Sequence, residues 1–82
     1  MPISGIVISC IVGCADDIAS RITKLEGVEV YAVQPESRIV AVVEADTLDN
    51  EITIVEAIQE LEGVVSVQLA YHNFEDLGGG QP

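Results

Sequence analysis

The chain has 82 residues, enough for a single domain, and 49% of them are apolar. Fourteen acidic residues against three basic ones give a formal net charge of −11, which argues against nucleic acid or an anionic membrane as a partner. The apolar run at residues 6–12 is far shorter than the roughly 20 residues of a membrane span, and the N-terminal segment has no Lys or Arg as a secretory signal would. Both observations favour the cytoplasm.

The chain begins with a predicted strand and helix. Residues Gly5–Val12 form a nearly continuous run of Ile and Val, which is typical of a strand in the interior of a sheet. The next helix is expected to be capped by Asp16 or Asp17, whose carboxylates suit the positive end of the helix dipole, and to run to about Glu26. Its buried stripe has amphipathic spacing and consists of Ile18, Ile22 and Leu25.

Two strands joined by a turn come next. Strand two is predicted over Val28–Val33 and strand three over Arg38–Glu44, and Pro35 favours a turn between them. Because side chains alternate between the two faces of a strand, each face of strand two has its own set of residues. Alternation places Val28, Val30 and Ala32 toward the core and Glu29, Tyr31 and Val33 on the other face.

A second helix and a fourth strand complete the pattern. Asp49 or Asn50 is expected to cap the helix, which runs to about Glu62, and strand four is predicted over Val64–Tyr71. We expect a folded domain over residues 1–74 and a disordered acidic, glycine-rich tail over residues 75–82. The buried stripe of the second helix consists of Ile54, Ala57, Ile58 and Leu61.

One phrase occurs twice, as Leu-Glu-Gly-Val at residues 25–28 and again at 61–64. Gly27 and Gly63 are expected to adopt the left-handed conformation that ends a helix. A duplicated strand–helix–strand unit with right-handed crossovers predicts an α+β, ferredoxin-like βαββαβ fold. Its four-stranded antiparallel sheet has the order 4-1-3-2, and both helices lie on one face.

The face of the sheet opposite the helices, here called the open face, is predicted to be apolar in its middle and polar at its edges. Alternation about Ser9 also sends Ile8, Cys10 and Val12 to the core. An exposed apolar patch with a polar rim commonly marks an interaction site. The residues predicted to line the open face are Val7, Ser9, Ile11, Glu29, Tyr31, Val40, Val42, Glu44, Ser66, Gln68, Ala70 and His72.

Three occupants fit such a face. They are a partner of a different kind, a second copy of the chain docked sheet to sheet, and the chain's own tail. The partner is the principal interpretation, and a weak homodimer stays open as an alternative.

Little in the sequence indicates catalysis or metal binding. His72 is the one histidine, so neither a Ser–His–Asp set nor a zinc site can be assembled with confidence. Cys10 and Cys14 lack the CxxC spacing of a redox or metal pair, and we interpret them as a buried thiol and a loop thiol in a reducing compartment. We therefore expect no enzymatic activity, no metal and no cofactor.

Three segments resemble the NapD family when taken together. Ser9–Val12 resembles the first-strand S-[apolar]-V-V signature, and Val42–Ala45, which follows a turn containing Pro35, resembles the third-strand V-V-E-A. The third segment resembles the ending E-G-V-x-x-V-x-L-x-Y-H and comprises Glu62, Gly63, Val64, Val67, Leu69, Tyr71 and His72. The resemblance covers about residues 5–75.

The resemblance implies a small cytoplasmic chaperone. Such a protein binds the twin-arginine signal peptide of a periplasmic nitrate reductase, or of a related molybdoenzyme precursor, and restrains export until the molybdenum cofactor is inserted. The basic start of the peptide suits a charge of −11, its apolar stretch suits the open face, and Glu29 and Glu44 are the candidates to meet its arginines. The alternative is an ACT-like, small-molecule-sensing regulatory domain that dimerises, because it shares this topology.

Overall fold

The computed structural model describes the backbone of residues 2–74 and the side chains of residues 3–70. The tail predicted over residues 75–82 lies outside this range. Within the described range, no helix is both long enough and apolar enough to cross a membrane. The elements in chain order are β1 (Pro2–Cys10), α1 (Ala15–Thr23), β2 (Val28–Gln34), β3 (Arg38–Glu44), α2 (Leu48–Gln59) and β4 (Val64–Phe74).

The four strands form one antiparallel sheet in the order β2-β3-β1-β4. This is the predicted order, and the ferredoxin-like α+β architecture is confirmed. The continuously apolar strands β1 and β3 occupy the interior of the sheet, and β2 and β4 form its edges. Helix α1 packs mainly against β2 and α2 mainly against β4, so both cover the same face. The strand β1 begins and ends earlier than predicted, and β4 extends three residues further.

A single hydrophobic core lies between the sheet and the two helices. The predicted helix stripes supply Ile18, Ile22 and Ile58, each with 0% of its surface exposed. Ala57, which was also expected in the stripe, is exposed, because it lies about 100° around the helix from Ile58. The side chains buried almost completely are Ile6, Ile8, Ile18, Ile22, Ile39, Val43 and Ile58.

The repeated Leu-Glu-Gly-Val phrase forms the same turn in both halves. The carbonyl of Leu25 accepts the N–H of Val28 at 3.3 Å, and the carbonyl of Leu61 accepts the N–H of Val64 at 3.1 Å. The third residue of each turn has a positive φ, 88° at Gly27 and 99° at Gly63. The left-handed conformation expected of both glycines is therefore present, but the helices end before the phrase begins, and the phrase is a separate turn that leads into a strand.

The helix caps differ from the prediction. Cys14 occupies the N-cap position of α1 and makes no side-chain cap hydrogen bond, while Asp16 and Asp17 lie within the first turn. Thr47 caps α2, and its hydroxyl accepts the backbone N–H of Asn50 at 3.1 Å. Carboxylates in the first turn of a helix interact favourably with its dipole. The acidic residues therefore indicated correctly that a helix begins there, but they are not the capping residues.

A buried polar contact joins the sheet to α2. The hydroxyl of Ser4 on β1 donates a hydrogen bond to the carboxylate of Glu51 on α2, and the two residues are 2% and 4% exposed. A buried hydrogen bond contributes more to stability than an exposed one, because removing one partner leaves the other buried with one partner fewer.

Substitution of Ser4 by alanine is expected to lower the free energy of unfolding by about 1–3 kcal/mol, because a buried carboxylate loses a donor. Chemical denaturation measures this change. Ser20→Ala, on the exposed face of α1, is the matched control and should change stability little. Equal stability of the two variants would contradict the assigned role of the Ser4 hydroxyl.

Candidate functional site

Backbone pairing arranges the open face in rows that run across the strands. In the central row Val7 on β1 pairs with Val40 on β3 and with Gln68 on β4, and Val40 in turn pairs with Ala32 on β2. Val7 and Val40 are half-buried, although no helix or strand within residues 2–74 covers them from this side. The middle of the row is therefore apolar and accessible.

The next row contains a third valine and, beside it, a glycine that leaves a shallow depression in the surface. Val42 pairs with Gly5 on one side and with Glu29 on the other, and Val42 is also half-buried. Gly5 has no side chain, so it leaves a shallow position between Val42 and β4. The sequence did not assign Ile3 to this face because the strand was expected to begin at Gly5, and Gly5 itself, the first residue of the predicted strand, was not assigned to a face. Continued alternation backward from Val7 would have found both.

The outer rows carry polar side chains. At one end Ile3 pairs with Glu44, and at the other Ser9 pairs with Arg38 and with Ser66. The two ends lie six residues apart along β1, a distance of about 20 Å at the rise of a strand. The predicted members Ser9, Glu44, Ser66 and Gln68 thus share the open face with the valines.

A bulge in β2 changes its alternation. Tyr31 has no partner of its own in the ladder, because Val30 pairs with Ala41 and Ala32 pairs with Val40. The extra residue places Ala32 on the open face and Val33 on the other side, opposite to the prediction, since a shift of one residue exchanges the faces. Tyr31 itself is 68% exposed at the bulge.

A second bulge, in β4, moves the end of that strand. Leu69 pairs with Ile6 and Tyr71 pairs with Gly5, so Ala70 is the extra residue and His72 comes opposite Ser4. That His72 lies on the open face stays a prediction. The side chain of His72 lies outside the described residues.

Two residues at the end of β1 also differ from the prediction. The strand ends at Cys10, and the chain then turns, with the N–H of Cys14 bound to the carbonyl of Ile11 at 2.9 Å. Ile11 is 55% exposed in this turn, at the margin of the open face. Val12, which was expected in the core, is 87% exposed because the turn carries it away from the sheet.

Charge is unevenly distributed around the open face. Glu29 and Glu44 are exposed near the end where β3 finishes. A cleft of about 610 Å³ adjoins Glu44 and is also lined by Glu26 and Asp46. At the opposite end Arg38 forms an exposed ion pair with Glu36 at 3.7 Å, a contact of the kind that contributes little to stability.

The described residues offer little for covalent or metal chemistry. Burial, and to a lesser extent the neighbouring Cys14, raises the pKa of the Cys10 thiol, which makes it a poor nucleophile at neutral pH. Among residues whose side chains are described, no three His, Cys, Asp or Glu groups lie together as a metal site would require. What the arrangement can do is bind a complementary surface.

These features define a small α+β binding domain with one sheet face that no described element covers, apolar at its centre and acidic at one end. A family model described as NapD protein matches residues 1–76. Proteins named Chaperone NapD, from Escherichia coli strain K12 and from Shigella flexneri, are each 33% identical over 67 residues, which is 80% of this chain and 77% of theirs. The chain belongs to the NapD family of chaperones.

A solved structure agrees with this assignment. The solution structure of the E. coli Tat proofreading chaperone protein NapD matches with a TM-score of 0.80 and 28% sequence identity. The match covers 98% of this chain and 85% of that one. The resemblance noted in three short segments therefore extends over the whole fold.

Proposed function

We propose that this chain is a cytoplasmic, non-enzymatic chaperone that binds the twin-arginine signal peptide of a periplasmic nitrate reductase precursor, or of a related molybdoenzyme precursor. Binding occurs on the open face and restrains export until the client's molybdenum cofactor has been inserted. Membership of the NapD family supports the proposal, as does the likeness to a Tat proofreading chaperone. The observation that carries it is the apolar centre of the open face.

Apolar contact supplies most of the affinity in this proposal. Val7, Val40 and Val42 form adjacent members of two rows, and each is only half-buried in the chain alone. Covering the surface of a valine that is still exposed contributes up to about 1 kcal/mol. An amphipathic helix formed by the apolar stretch of the signal peptide would cover all three together.

The charge of the chain favours a basic partner over a second copy. Two chains that dock face to face would bring together two net charges of −11, including Glu29 and Glu44 of both copies. A signal peptide with a pair of arginines meets the same carboxylates with opposite charge. Exposed charge pairs of this kind mainly increase the association rate and exclude wrong partners.

Isothermal titration calorimetry with the full chain and a synthetic twin-arginine signal peptide tests the proposal. We expect saturable 1:1 binding, and no binding of a peptide of the same composition in scrambled order. The absence of heat with candidate twin-arginine peptides, from a chain that circular dichroism shows to be folded, would overturn the proposed function.

Raising the salt concentration from about 0.05 M to 0.5 M is expected to weaken peptide binding severalfold, because the Debye length falls from roughly 14 Å to about 4 Å and the rim charges are screened. Titrations at both concentrations measure the effect. A peptide with glutamine in place of both arginines is the control and should show weaker, nearly salt-independent binding. Equal affinity of the twin-arginine peptide at both salt concentrations would remove the electrostatic part of the proposal.

A further inference from the structure

The open face has two chemically different ends. Ile3 pairs with Glu44 at one end of β1, and Ser9 pairs with Arg38 at the other. Glu29 pairs with Val42 and therefore lies toward the Glu44 end. We call these the acidic end and the Arg38 end. They are about 20 Å apart, which is the length of a helix of about 13 residues.

The surroundings increase this difference. At the acidic end the open face itself carries Glu29 and Glu44, while Glu26 and Asp46 line a cleft with Glu44 that α2 also lines and therefore add to the negative potential from the helix side. At the Arg38 end, the open face carries one cation, the guanidinium of Arg38, which is paired with the carboxylate of Glu36, and Asp16 lines a cleft nearby together with Ser37. The electrostatic potential of the open face thus changes along the strands. The apolar side chains between the two ends do not favour either direction of a bound peptide.

A signal peptide is also asymmetric, because its charge lies in a basic start and is followed by an uncharged, apolar stretch. We propose that the peptide binds in one direction, with its basic N-terminal part at the acidic end and the end of its apolar stretch at the Arg38 end. This inference rests on the proposed function and adds the direction of the bound peptide. The arginines then lie beside Glu29 and Glu44, and the apolar stretch lies over Val42, Val40 and Val7.

The helix dipole acts in the same direction. A helix carries a partial positive charge at its N-terminus and a partial negative charge at its C-terminus. A peptide helix in the proposed direction places its positive end near the carboxylates and its negative end near Arg38. The reversed helix would place its negative end beside Glu29 and Glu44 and would leave its arginines about 20 Å from Glu44.

Paramagnetic relaxation enhancement with the ¹⁵N-labelled full chain distinguishes the two directions. One synthetic peptide carries a nitroxide at its N-terminus and a second carries it after the apolar stretch. We expect the first to broaden the amide signals of Glu29 and Glu44 most strongly, and the second those of Arg38 and Ser9. The reversed pattern, or the same pattern with both labels, would overturn the proposed direction while leaving binding itself established. No chemical-shift change with either peptide would instead overturn the proposed function.

Two double variants test whether Glu29 and Glu44 determine the direction in which the peptide binds. Glu29→Gln together with Glu44→Gln is expected to lower affinity about fivefold at low salt, since each exposed charge pair contributes up to about 1 kcal/mol. Glu56→Gln together with Glu60→Gln, both exposed and at or next to α2, changes the net charge equally and is expected to leave affinity nearly unchanged. Equal losses in both double variants would show that net charge matters and the acidic end does not, and would overturn the assignment of the arginines to Glu29 and Glu44.

Discussion

Replacement of Val42 by aspartate is expected to reduce affinity for the signal peptide by about 100-fold or more, while the chain remains folded. Val42 lies in an interior strand and is half-buried at the centre of the open face. A bound peptide would bury the new carboxylate without a partner, and this desolvation, added to the lost apolar contact, exceeds about 3 kcal/mol. Calorimetry measures the loss, and circular dichroism verifies the fold.

The neighbours of Val42 determine which controls are needed. Glu29 lies directly across from Val42, so an aspartate there places like charges opposite each other and costs up to about 1 kcal/mol of stability. Val42→Asn removes the same apolar contact without adding charge, and a smaller loss of affinity is expected from it. Ile52→Asp adds the same charge on α2, at a residue 46% exposed on the other side of the sheet, and should leave binding unchanged. Unchanged affinity in both Val42 variants would exclude the open face as the binding surface.

The architecture was predictable because its signals are local and repeated. Ile18 and Ile22 in the first helix correspond to Ile54 and Ile58 in the second, at the same spacing, and both pairs pack in one core. The continuously apolar β1 and β3 could be recognised as interior strands because a strand covered by neighbours on both edges does not need polar residues. These signals determine the sheet order, since right-handed crossovers leave few topologies for two such units.

The register of the edge strands was not predictable in the same way. Nothing in the sequence around Tyr31 or Ala70 distinguishes a bulge from regular alternation, because a bulge depends on how a strand twists against its neighbour. One extra residue exchanges the faces of everything that follows. For this reason Val7, Val40 and Val42, on interior strands, were placed on the correct face, whereas Ala32 and Val33 were not.

The buried Ser4–Glu51 contact escaped sequence reasoning for another reason. Glu51 lies in the first turn of α2, where a glutamate is ordinarily exposed and stabilised by the helix dipole. Its burial depends on the position of Ser4, 47 residues earlier in the chain. Neither residue carries a local signal of that contact, so only the packed structure reveals it.

Alanine at Gly27 is expected to destabilise the chain far more than alanine at Gly63, although both glycines occupy the third position of the same Leu-Glu-Gly-Val turn. Both have a positive φ, which costs alanine about 1–2 kcal/mol. A Cβ at Gly27 would also collide with the backbone carbonyl oxygen of Glu44, which cannot move without breaking the sheet. A Cβ at Gly63 would meet the Cδ1 of Ile18 at 3.0 Å, the far end of a side chain, which needs to shift by only a few tenths of an ångström.

We therefore expect Gly27→Ala to lower the free energy of unfolding by about 3 kcal/mol or more, a loss comparable to the whole stability of a core this size, and Gly63→Ala by about 1–2 kcal/mol. Urea denaturation with a probe of secondary structure measures both. Gly13→Ala is the control for the backbone conformation alone, because Gly13 has a φ of 89° and nothing within 4 Å of an added Cβ. Equal losses at all three positions would mean that the carbonyl of Glu44 yields to the new methyl group. The carbonyl of Gly27 also accepts the N–H of Glu44 at 2.7 Å, so any Gly27→Ala chain that remains folded should bind the signal peptide more weakly, through displacement of the acidic end.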